Sequence, residues 1–194
     1  MKKISRVTLL AGVALALAIP GPQDVAQAND RNRSIRADLR GIEEPPSVSS
    51  TGSGEFRARV SRDETSFEYE LSFEDLEGDV TQSHIHIAQK GVNGGISIWL
   101  CGTGAPGTAL AGPAGTPLCG GPREGTVSRT VTAADVIGPT GQGIAAGEFA
   151  EVLRAIRQGV AYANVHSTRN TGGEIRGQIQ ERDGDDHDDH DHDH

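Results

Sequence analysis

The chain has 194 residues, with 18 Lys and Arg against 27 Asp and Glu for a formal charge of -9, and it holds 26 Gly but only two Cys. That length suits one domain of moderate size. The acidic balance excludes a protein that grips nucleic acid by neutralising phosphates, and two cysteines exclude a disulfide-dense scaffold.

Lys2, Lys3 and Arg6 precede a 13-residue apolar run, Val7 to Ile19, which Pro20, Gly21 and Pro22 break. Ala26-Gln27-Ala28 then fits small-x-small processing, so residues 1–28 are expected to be a secretory signal peptide. The run is shorter than the ~20 residues of a membrane helix. No Cys stands at the cleavage point to take a lipid, and no later segment has the composition of a membrane span. The expected product is secreted, periplasmic or held at the cell surface. It comprises a domain over 29–182 and an Asp/His-rich tail over 183–194. Much of the negative excess lies in that tail, so the body is only mildly acidic.

Residues 34–40 alternate weakly and are expected to form a first strand; 41–53 read as loop. In 54–62, Phe56, Ala58 and Val60 share a face, and in 65–73, Phe67, Tyr69, Leu71 and Phe73 do the same. With a turn at Asp63-Glu64 this pair reads as an antiparallel hairpin, apolar on one side and charged on the other. Further strands are expected over 83–88 and, after the Asn93-Gly94-Gly95 turn, over 96–101. Residues 102–125 are dominated by Gly, Pro, Ala and Thr and read as a long surface loop. A strand over 126–132 leads to a short helical start at Thr132, with Asp135 three positions later. The one well-marked helix is 147–158, where Phe149, Val152, Leu153 and Ile156 have helical spacing and Gly159 is the stop. Strands over 160–166 and 174–180, joined by a Thr171-Gly172-Gly173 turn, complete the set. Short strands, Gly-rich turns and one brief helix imply an all-β fold, an antiparallel Greek-key sandwich or flattened barrel.

Cys101 ends a strand and Cys119 lies in the long loop. In an oxidising compartment their pairing would restrain an excursion that lacks apolar anchors. No CxxC spacing supports a redox or metal role for them.

The body contains three histidines, His84, His86 and His166. His84 and His86 are two apart in a strand, so they point the same way, with Ile85 and Ile87 on the other face. In the late strand Ala161, Ala163 and Val165 form one face, while Tyr162, Asn164 and His166 share the other. All three imidazoles are therefore expected on non-core faces, at the exterior or in a loop-covered cleft. Neutral imidazole is a good ligand for copper or zinc, and two ligands preset on one strand lower the ordering cost of capture. The alternative is separate hydrogen-bonding roles, with His84 on loop carbonyls and His166 bracing the 171–173 turn. Glu174 and Arg176 share a strand face and read as solvent-facing charge, and Trp99 reads as packing under the long loop.

These segments resemble the CHRD family, the domain repeated in chordin and found singly in many exported bacterial proteins. The resemblance is carried by FEYELSF at 67–73, His84-Ile85-His86, the 149–162 stretch, and Asn164-Val165-His166-Ser167 followed by GEIRGQI at 173–179. In chordin such domains belong to an extracellular antagonist of growth factors, so the resemblance implies a binding module with an extracellular or envelope protein partner. The strand and histidine pattern is also similar, more distantly, to copper/zinc superoxide dismutase. There an HxH pair and a late-strand histidine bind copper, and His84, His86 and His166 would correspond. The sequence offers no bridging histidine and no His-rich zinc loop.

In the tail His187, His190, His192 and His194 alternate with Asp, a multidentate chelator for transition-metal ions. Three functions therefore compete: an exported, non-enzymatic binding module with divalent-metal affinity, a copper-dependent oxidoreductase, and a structural or adhesive envelope protein. No Ser/His/Asp set or paired-carboxylate geometry marks a hydrolase.

Overall fold

A computed structural model describes residues 33–105 and 107–181; the signal-peptide segment and the four tail histidines lie outside them. The alternation seen in the sequence becomes nine strands: β1 (Ser34–Arg40), β2 (Ser53–Val60), β3 (Ser66–Glu74), β4 (Val80–Ile87), β5 (Gly95–Gly102), β6 (Gly125–Thr132), β7 (Ala161–Ser167), β8 (Ile175–Gln178) and β9 (Gln180–Glu181). One helix, α1 (Phe149–Arg157), lies between β6 and β7. The final expected strand is split in two, β8 pairing with β7 and β9 with β1.

All strand pairs are antiparallel, in the order β5-β4-β7-β8-β1-β2-β3-β6. The β2–β3 hairpin shows why. Val60 faces Phe67, Ala58 faces Tyr69 and Phe56 faces Leu71, all buried, while Arg57 faces Glu70 and Arg59 faces Glu68 on the other side. One-residue slippage would exchange these two sets, so burial and charge specify the register together.

The sheet curls so that its two ends face each other across one core. Only Arg40–Arg176 pairing joins β1 to β8, and this narrow seam lets the two halves fold together. The Tyr69 hydroxyl on β3 donates to the Leu100 carbonyl on β5 at 2.5 Å. Phe56, Phe67 and Tyr69 pack with ring centroids 6.0–6.5 Å apart, and Phe149 of α1 meets Phe67 at 5.7 Å. The helix presents Phe149, Val152, Leu153 and Ile156 to this core. It carries Glu151 in its first turn and Arg154 and Arg157 in its last, complementing the peptide dipoles. Beyond β6, Thr132 and Asp135 form the expected capping box over a single 3-10 turn. The result is an antiparallel sandwich approaching a barrel, as the sequence implied.

Cys101 and Cys119 form a disulfide, which ties the long loop to the end of β5. The bond closes a loop with a sequence separation of 18. Chain-entropy arguments give about 3 kcal/mol for a loop of this length. A Cys101→Ser/Cys119→Ser double variant should lose about that much in denaturant unfolding, with the far-ultraviolet spectrum retained. A midpoint equal to that of the oxidised wild type would show the loop to be anchored without the bond.

Candidate metal centre

β4 and β7 are sequence-distant but hydrogen-bonded neighbours, with His84 opposite Asn164 and Gln82 opposite His166. Ile85, Ala163 and Val165 point into the core. His84, His86 and His166 rise from the opposite face and converge, each offering one ring nitrogen such that all three atoms lie within 4.8 Å of one another. The rings meet with centroids 5.1–6.4 Å apart. Two atoms bound to one ion at about 2.0–2.1 Å can stand no more than about 4.2 Å apart. Closing the triad onto a metal therefore needs only a small inward shift of the rings.

The face opposite the core is not open to water. His84, His86 and His166 are 1, 8 and 7% exposed. Trp99, half-buried on β5, covers His84 edge-on at 4.2 Å, and the 102–119 loop lies over Trp99, as expected, close enough that a Cβ on Gly112 would meet the indole. Loop 88–94 covers His86. Gly94 is obligatory there, since a Cβ would sit 1.9 Å from the Ile87 carbonyl oxygen. Its carbonyl accepts the His86 Nδ1–H at 2.9 Å, and its N–H donates to the Tyr162 hydroxyl at 3.3 Å. The Thr171 carbonyl accepts the His166 Nδ1–H at 2.9 Å. The turn-bracing role of His166 is thus present together with convergence, and the two readings are not exclusive.

These carbonyl contacts decide the chemistry. A ring that donates through Nδ1 and stays neutral must carry its lone pair on Nε2. The Nε2 atoms of His86 and His166 are buried with no hydrogen-bond partner, as are both ring nitrogens of His84. Burial pushes the His84 pKa down to about 2, helped by the neighbouring His166 and His86. Burial likewise takes His86 down to about 4, against the opposing effect of its bond to Gly94. His166 is also lowered by burial, partly offset by its bond to Thr171. All three are neutral imidazoles at physiological pH, the form that ligates metal. Unpaired buried polar atoms are costly, and this cluster holds three lone pairs, one on each ring, with the second His84 nitrogen unpaired as well, an arrangement that calls for a ligand.

Behind the triad stands a second polar layer. Tyr162 lies flat on His86, with centroids 4.8 Å apart and planes 3° from parallel, and the Arg176 guanidinium covers the other side of Tyr162 at 3.3 Å from its centroid. Arg176 donates to the Val92 carbonyl at 2.9 Å. Glu44 is buried against Gly173, which has φ +133 and where any Cβ would lie 2.2 Å from Glu44 Oε1. Burial raises the Glu44 pKa to about 7, with Arg176 opposing.

Two sequence expectations need correction. Glu174 and Arg176 are not solvent-facing charge, being 0% and 1% exposed. They also part company. Arg176 serves the layer behind His86, whereas the Glu174 carboxylate accepts Ser50 Oγ at 2.7 Å, the Glu77 N–H at 2.6 Å and the Ser167 hydroxyl. The reason is that the 44–52, 75–79 and 88–94 segments fold over a face that strand alternation alone reads as exterior. Strand alternation already puts Tyr162 on the face of His166, whereas Glu44 carries no motif that would have marked it as part of this layer.

Among the described residues no helix is long and apolar enough to cross a membrane. No curated protein and no solved structure matches the chain. Its architecture is consistent with the distant likeness to the superoxide dismutase fold. The CHRD domain matches over residues 35–179, which takes in the core strands, the helix and all three histidines of the triad. The chain belongs to the CHRD family.

Proposed function

We propose that this protein is an exported metal-binding module whose folded domain holds one transition-metal ion on His84, His86 and His166. The observation that carries this reading is the convergence of three neutral imidazoles with unpaired, buried nitrogens. Two are held in the ligating tautomer by loop carbonyls. Such carbonyl support orients a ring and raises its basicity as a ligand. Copper and zinc both suit imidazole donors. Enclosure of the donor atoms supports retention of the ion rather than turnover of a substrate at it, so binding is favoured here over a dismutase-like activity. The tail histidines His187, His190, His192 and His194 would supply a second, looser set of ligands, and an extracellular or envelope protein is the expected partner.

The test uses the full chain with all four tail histidines replaced by Asn, so that only the triad is read. After loading with copper or zinc and dialysis, elemental analysis should find one ion per folded chain. A companion variant with His84, His86 and His166 also changed to Ala should retain none. Equal metal content in the two would overturn the assignment. With the tail intact, additional ions should bind and should leave as the pH falls through about 6.5, where solvated histidine protonates.

A further inference from the structure

The metal site proposed above, on which this inference rests, is unusual in its charge. Among the described residues no Asp, Glu or Cys joins the three histidines in the cluster. The donors are neutral imidazoles, and Asn164, opposite His84 across β4–β7, adds only a neutral amide. The nearest formal charge that the contacts identify is the Arg176 guanidinium, one aromatic ring behind His86. Glu44 can at most cancel that cation, because it interacts with Arg176 and does not belong to the ligand cluster. Glu43 also interacts with Arg176 but is itself paired with Lys90, so among the described residues no carboxylate reaches the ion as a ligand.

We infer that this three-histidine pocket selects cuprous copper over divalent zinc and cupric ions. Two independent features lead there. The first is electrostatic: a buried ion with no anionic ligand must bear its own charge in a poorly polarisable surrounding, and Arg176 repels it further. Each added unit of ionic charge costs affinity, roughly tenfold or more for a cation held ~8–10 Å from a guanidinium at an effective dielectric near 20. The second is coordination number. Zinc in protein sites is nearly always four-coordinate, and cupric ion takes tetragonal geometry. Here three nitrogens are presented from two strands, their unpaired atoms are inaccessible to water, and no fourth charged donor stands in the cluster among the described residues. Cuprous ion, a monovalent d10 cation, accepts trigonal coordination by three neutral donors. The half-buried Trp99 edge against His84 completes the wall on the side facing the 102–119 loop.

Trp99 is the chain's one tryptophan, so it also reports on the site. The experiment takes the full chain with the tail histidines changed to Asn. It titrates Cu(I) anaerobically against bicinchoninate and Zn(II) against a chromophoric chelator, following both competitor absorbance and Trp99 fluorescence. One Cu(I) per chain should quench Trp99 and bind at least about tenfold more tightly than Zn(II), the factor for one added unit of charge near Arg176. Arg176→Gln should narrow the Cu(I)/Zn(II) ratio by about tenfold. Glu44→Gln, which cannot add negative charge, should leave the ratio unchanged or widen it. Zinc bound as tightly as Cu(I), with both lost in the His84, His86 and His166 variant, would overturn the cuprous assignment and leave the metal site standing. Absence of any triad-dependent ion would overturn both. If Arg176→Gln does not fold, the wild-type ratio and the Glu44→Gln response still decide the matter.

Discussion

Metal-free protein should lose several kcal/mol of stability between pH 6.5 and pH 4, well before its carboxylates dominate acid unfolding. In the unfolded chain histidine protonates near 6.5. In the fold His86 does so only at about 4 and His84 at about 2, because burial excludes the charged form. Between these values the unfolded state binds more protons than the native state, so unfolding becomes easier as pH falls. The sign is therefore fixed: stability from these groups is full above about 6.5, declines below it, and is exhausted for His86 near 4 while His84 continues to contribute the same trend. Each group that is neutral when folded and protonated when unfolded gives a slope of about 1.4 kcal/mol per pH unit. Glu44 runs the other way, being protonated in the fold below about 7 but ionised in the unfolded chain down to about 4.5, so it offsets about one of the two histidine slopes and leaves a net loss of several kcal/mol against the ~5–15 kcal/mol of a typical domain. Urea unfolding from pH 8 to pH 4 measures the effect, and a His84→Gln variant should flatten the slope by about one proton. A denaturation midpoint that stays level from pH 7 to pH 5 would contradict the neutral-triad account. A bound metal ion holds the imidazoles unprotonated and should move the acid transition to lower pH.

Glu174→Ala should be the most damaging single change outside the aromatic core, at about 3–5 kcal/mol. The carboxylate is fully buried and receives Ser50, Glu77 and Ser167, with the Gly78 N–H at 3.4 Å. Removing it strands several buried donors at once, and the penalty for such orphaned groups exceeds the value of any one bond. Glu174→Gln, which keeps the shape but turns one acceptor into a donor facing other donors, should cost less, about 2 kcal/mol. Burial alone would push this carboxyl up, yet the bonds from Ser167, the Glu77 N–H and Ser50 outweigh it and leave its pKa below the ordinary value. Its contribution is accordingly present above the normal carboxylate range and fades as pH falls through its lowered folded value. Thermal unfolding of both variants tests the scale, since 1 kcal/mol moves the midpoint by about 2–4 °C for a chain of this size. The anchoring also reaches the metal centre. Ser167 Oγ accepts the Asn170 N–H, and the same turn presents the Thr171 carbonyl to His166. The Ala variant should thus weaken metal retention as well as stability, whereas a variant that unfolds readily but binds metal unchanged would separate the two roles.

Much of this molecule was written in local periodicity. Alternation located the first seven strands within a few residues and assigned Ile85 and Ile87 to one side of β4 and His84 and His86 to the other. Helical spacing placed α1, and the separation and setting of Cys101 and Cys119 anticipated their bond. These features depend on short-range geometry, two residues per strand repeat and 3.6 per helical turn, so a single chain displays them.

Three things depended on contacts between distant segments. The first was the neighbourhood of β4 and β7, which brings His166 to the HxH pair across some eighty residues of chain. Strand pairing at that range is chosen by the collective packing of the core and leaves no local mark. The second was the closing of the outer face. Alternation tells which side chains share a side of a strand but not what later covers them, and so Glu174 and Arg176 read as exposed when they are buried. The third was protonation. Sequence identified three imidazoles, but only burial under Trp99 and the 88–94 loop, with carbonyls holding two Nδ1–H groups, makes them neutral donors with their lone pairs turned toward one point. The sequence by itself determined the strands, their faces and the ligand types; tertiary packing decided convergence, enclosure and charge, because those are properties of the space between segments.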